Sequence, residues 1–92
     1  MVTKKQLKEI LEENYPDEAI LVIDGMDEAI IGFARRCGQP TIAVYDYNVL
    51  VSLHCKMGMT EEEAVEYISF NIEGAWVGEG TPALVVPLDY LT

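Results

Sequence analysis

Four carboxylates, Asp24, Asp27, Glu28 and Asp46, fall where turns and strand ends are expected. Acids gathered at strand ends can bind Mg²⁺ through oxygen ligands or move protons in general acid–base catalysis. Asp24, Asp27 and Asp46 with Glu79 therefore define one option, a small metal- or nucleotide-dependent enzyme. The same residue types also initiate turns and cap helices. No histidine lies among them and no phosphate-cradling glycine loop precedes a helix, so the structural duty is preferred.

The remaining reactive types point the same way. His54 is the one histidine and sits beside Cys55 in a helical stretch, where adjacent side chains diverge; a thiol–imidazole nucleophile does not form at that spacing. His54 is expected to be a partly exposed helix residue. Cys37 falls in a turn and Cys55 is expected to be partly buried, both reduced, with no CxxC spacing for zinc. Val77 to Pro82, VGEGTP, holds a G-x-G that lacks the third glycine of a dinucleotide loop and follows a helix instead of opening one. Arg35-Arg36 is a paired base at a strand end, where exposed ion pairs contribute little. No catalytic residue, metal or cofactor is assigned, and the chain is expected not to be an enzyme.

The elements that position these residues can be read in order. Thr3 with Gln6 is a capping-box pair opening a helix whose Leu7, Ile10 and Leu11 share a face, and Pro16 stops it. AILVI, Ala19 to Ile23, reads as a buried strand, and Asp24-Gly25 as a turn. AIIGFAR, Ala29 to Arg35, reads as a second strand in which Gly32 suggests a bulge. After the turn Cys37-Gly38-Gln39-Pro40, TIAVY, Thr41 to Tyr45, is apolar on both faces and is expected to be central. These three strands predict an antiparallel meander.

Asp46 or Asn48 then caps a helix bearing Val49, Leu50, Leu53 and Met57, which Gly58 ends. Thr60 with Glu63 is a second capping box, and Glu61 and Glu62 occupy the first turn, where the helix dipole favours anions. At 100° per residue Ala64, Val65, Ile68, Ile72, Ala75 and Trp76 share one arc. Glu62, Glu66, Ser69 and Glu73 lie opposite, and Tyr67 and Phe70 fall outside the apolar arc. PALVVPL, Pro82 to Leu88, is a last strand bounded by its prolines. The fold class is α+β: a small antiparallel sheet of three to four strands with three helices, in the order α-β-β-β-α-α-β, as one domain over residues 1–92.

Composition limits what such a domain does. Half of the 92 residues are hydrophobic, enough for one small core. Sixteen acids against six bases give a net charge of −10, which repels phosphate backbones and argues against direct nucleic-acid binding. No run approaches the roughly 18 apolar residues that would span a membrane. The lysines near the start precede no apolar stretch, so a cytoplasmic location is expected. Tyr67 and Phe70 with Trp76, inside a surround of Glu62, Glu66, Glu73 and Glu79, suit a protein-binding site of aromatic anchors and acids. A homo-oligomer built on the Phe70 face is the alternative.

Three segments, DGMDEAIIGFARRCGQP, AVYDYNVLV and GMTEEEAVEYISFNIEGAWVGEGTP, also carry a resemblance. They resemble a family of small proteins of phages and prophages for which no reaction is established. Phe70-Asn71, Gly74, Trp76-Val77-Gly78-Glu79 and Thr81-Pro82 follow its pattern in order. Members often carry a lysine and a cysteine soon after the aspartate and tyrosine, where this chain has Asn48-Val49-Leu50. The resemblance implies an accessory phage protein in a bacterial cytoplasm that binds and modulates a host protein, as a nucleic-acid mimic or an inhibitor of a defence system.

Overall fold

The computed structural model describes residues 2–92. Helix α1 spans Lys4–Asn14 and opens with the Thr3–Gln6 capping box: the Gln6 N–H donates to Thr3 Oγ1 (3.2 Å) and the Thr3 N–H to Gln6 Oε1 (2.9 Å). Leu7 is buried, Ile10 and Leu11 are half-buried, and the helix stops before Pro16.

The segment Ala19 to Ile23 is not a strand. Glu18 to Ile23 run without turn or bend, yet Ala19 to Val22 make no backbone hydrogen bond among the described residues. Its one tertiary tie is the Ile23 N–H, which donates to the Tyr45 hydroxyl at 2.8 Å. The β-branched composition therefore yields apolar contact without a ladder: Ile20 and Ile23 pack against the core, while Leu21 and Val22 stay exposed. Gly25 then turns the chain at φ 78°, a backbone angle that favours glycine.

A 3₁₀ turn, Asp27–Ala29, leads into β1, Ile30–Ala34. It pairs antiparallel with β2, Ile42–Asp46, through a bulge at Ile31, since Ile30 faces Tyr45 while Gly32 already faces Val44. The irregularity expected at Gly32 is present, one residue earlier. β2 is central as expected, and Ala43 and Tyr45 point into the core.

Helices α2, Tyr47–Lys56, and α3, Glu61–Ile68, separate β2 from β3, Ala83–Val85. Such a crossover returns the chain in the same direction, so β3 pairs parallel with β2. The three-stranded sheet, in the order β1-β2-β3, is thus mixed where an antiparallel meander was expected. A fourth helix, α4, Leu88–Leu91, takes the end of the segment read as the last strand, with Pro87 at its N-cap, where its fixed φ suits a helix start. The class is α+β.

The buried residues form one cluster in which α1 gives Leu7, β1 and β2 give Ile30, Ala43 and Tyr45, and α2 and α3 give Leu50, Val51, Ala64 and Ile68. No helix is long and apolar enough to cross a membrane among the described residues.

Candidate functional site

Helix α3 positions the predicted site, and local rules set its start. The Glu63 N–H donates to Thr60 Oγ1 (3.2 Å) and the Thr60 N–H to Glu63 Oε1 (2.9 Å). That backbone donor, then the Thr60 hydroxyl, holds the Glu63 carboxyl below the usual carboxylate range. Ala64 and Ile68 are buried and Val65 is half-buried, so the helix axis is fixed by one narrow apolar stripe.

Beyond Ile68 the α-helical wheel no longer applies. Ser69–Glu73 form a π turn, closed by the Gly74 N–H donating to the Ser69 carbonyl at 3.0 Å. The turn is wider by one residue and changes where later side chains point. Gly74 is required there: a Cβ would lie 3.1 Å from both the Ser69 and Phe70 carbonyl oxygens. The side chain of Asn71 donates to the Tyr67 carbonyl (3.1 Å) within the same transition.

Phe70 leaves this turn 73 % exposed. It stands between two depressions and lines both. One, of about 360 Å³, is formed by Met59, Glu63, Glu66, Tyr67, Phe70 and Asn71. The other, of about 670 Å³, is formed by Glu61, Glu62, Val65, Glu66, Ser69 and Phe70. No lysine or arginine lines either, so the ring is a lone apolar ridge between carboxylate-rimmed hollows.

Tyr67 is held from below by α2. Its ring centroid is 5.0 Å from that of His54, at 42°. His54 is 2 % exposed and its Nδ1 lies 2.8 Å from the Leu50 carbonyl, which makes it that carbonyl's donor. The expectation of a partly exposed histidine is corrected: α3 packs over α2 and seals the ring, which in turn supports Tyr67 while leaving it 42 % exposed.

Of the seven residues read as partner contacts, the structure gathers four. Glu62, Glu66, Tyr67 and Phe70 share the two depressions. Glu73 is exposed at the end of the π turn and faces the Tyr47 side. Partial burial, followed by Tyr90 and then Glu73, pushes the Tyr47 phenol up. Trp76 does not lie on the helical apolar arc: the helix ends at Gly74, and Trp76 is 72 % exposed in the loop beyond. Glu79 is exposed in that loop, which Thr81 closes by accepting the Val77 N–H (2.9 Å) and donating to the Gly78 carbonyl (2.6 Å). Met59, Glu61, Glu63, Val65 and Asn71 complete the depressions and were not singled out as contacts. Their i, i+3 and i+4 spacing from Glu62, Glu66 and Phe70 was the available signal.

The strand-end acids take structural places. Asp46 caps α2, accepting the Val49 N–H at 3.2 Å. Asp24 precedes the turn at Gly25, and Asp27 and Glu28 lie in the 3₁₀ turn. No group of three or more histidine, cysteine or acidic side chains converges to hold a metal ion among the described residues. Cys37 is exposed in its turn and Cys55 is half-buried, both as free thiols.

Comparison with family models, with curated proteins and with solved structures finds no match, so the functional reading rests on the geometry of this face.

Proposed function

We propose that the chain is a non-catalytic binding protein whose docking surface is the Phe70 ridge of α3 with its flanking carboxylates. The observation that carries this is the isolation of Phe70: a phenyl ring 73 % exposed, set by a wide turn between two acid-rimmed hollows that contain no base. An exposed ring is an anchor that gains most when a partner desolvates it. The surrounding glutamates select a basic partner and speed its encounter.

A second copy is a poor occupant of the same face. Two-fold pairing would bring Glu62 and Glu66 of each copy together, in molecules that each carry −10. A basic groove of the kind that accepts nucleic-acid phosphates meets the pattern without that repulsion. The resemblance to phage and prophage proteins makes the proposed partner a bacterial host protein, met in the cytoplasm, and a defence system is one such target.

The test is affinity capture from bacterial lysate with the wild-type chain and with Phe70→Ala, each at rising salt. A specific basic partner is expected on the wild type at low salt, weaker on Phe70→Ala and released as salt rises. Identical captures by both proteins, or none by either, would overturn the proposal.

A further inference from the structure

A second concavity shares no residue with the α3 depressions. It lies between α1 and the chain from Val22 to Asp27, with a volume of about 630 Å³. Leu7, Leu11 and Val22 form its apolar surface. Lys4, Lys5 and Lys8 edge it along α1, three of the six basic residues in the protein. Asp24 and Asp27 edge it on the loop side.

We propose that this groove binds a single-chain anionic amphiphile, of the long-chain carboxylate class. Its volume lies in the small-ligand range, and apolar walls with a few charged groups at one side are the usual form of such a site. The three ammonium groups on α1 select the sign of the head group, which sits on the helix side away from Asp24 and Asp27. The apolar chain covers Leu7, Leu11 and Val22. The charge of the molecule also favours a small occupant. A second copy would bring −10 against −10, whereas a carboxylate brings a single charge.

The experiment is isothermal titration of the full chain with dodecanoate below its micelle concentration, alongside decanoate and dodecylamine, with amide NMR to locate the contact. Dodecanoate is expected to bind one to one and to shift Leu7, Leu11 and Val22. Removing two methylenes weakens binding roughly tenfold, the weight of two buried CH₂ groups. The double variant Lys5→Glu/Lys8→Glu, changed only at exposed positions, weakens dodecanoate about tenfold and keeps its circular dichroism. Dodecylamine binding as tightly as dodecanoate would overturn the proposal, because Asp24 and Asp27 would then govern the site. So would dodecanoate binding unchanged in the double variant, or no binding at all.

Discussion

The Tyr45 hydroxyl accepts the Ile23 N–H at 2.8 Å, and this one bond ties a chain segment without strand pairing to the central strand. Tyr45 is fully buried, so its phenol is the partner available to that amide in the interior. Replacing Tyr45 with Phe keeps the ring and leaves the donor without an acceptor. The expected loss is about 1–2 kcal/mol in urea unfolding, the range for a buried donor left unpaired.

The same phenol sets a limit at high pH. Burial, and secondarily Asp27, raise the Tyr45 pKa above its ordinary value, while the Ile23 hydrogen bond opposes the shift. A raised folded-state pKa means that the native state holds its proton longer than the unfolded chain. The contribution is complete below the unfolded value of about 10 and is lost as pH rises through the folded value. Urea midpoints should fall for the wild type above that pH and fall less for Tyr45→Phe. Parallel curves for the two proteins would show that Tyr45 does not carry the effect.

The α3 capping box gives the opposite limit. Glu63 is held below its ordinary range by the Thr60 backbone donor and hydroxyl. Its contribution is present above the unfolded carboxylate value and is lost as pH falls through the folded one. Glu63→Gln retains an acceptor for the Thr60 N–H, so it should remove part of the acid dependence of unfolding while changing stability little at neutral pH. Thr60→Ala removes the other half of the box and should lower stability by about 1 kcal/mol at neutral pH.

Phe70 separates binding from folding. Because its ring is mostly exposed, Phe70→Ala should move the unfolding free energy by less than about 0.5 kcal/mol. Against the captured partner it should weaken the dissociation constant by about tenfold or more in a titration. A loss of stability matching the loss of binding would assign Phe70 to the fold instead.

Gly74→Ala tests whether the wide turn aims that ring. The added Cβ meets the Ser69 and Phe70 carbonyl oxygens at 3.1 Å, and backbone cannot yield as a side-chain tip can. A loss of about 1–2 kcal/mol is expected. Partner binding should weaken along with it, while Ala substitution at exposed Ser69 should disturb neither.

What the sequence reveals here is what short-range physics decides. Thr3, Asp46 and Thr60 cap helices through side chains three residues from their targets. Gly25, Gly38 and Gly58 take positive φ where turns and helix ends were read. The errors arise where distant parts of the chain compete. AILVI has strand composition, but β2 already pairs with β1 on one side and β3 on the other, so no edge of it remains. His54 is buried by α3, a helix that follows it in sequence. Trp76 was placed by continuing an α-helical period through a turn of a different pitch. The Tyr67–Phe70 part of the site survived because it precedes that change or lies at its start.

The wide turn at Ser69–Glu73 also bears on how this surface could change over generations. It accommodates one more residue than a regular turn, and a single deletion there could restore the ordinary pitch. That event would rotate everything downstream by about 100° relative to α3. Loss or gain of one codon, without any substitution, could thus re-aim Trp76 and Glu79 while Thr60, Ala64 and Ile68 stay seated. Diversification of this face is expected to proceed through length variants as well as through exchanges of side chain.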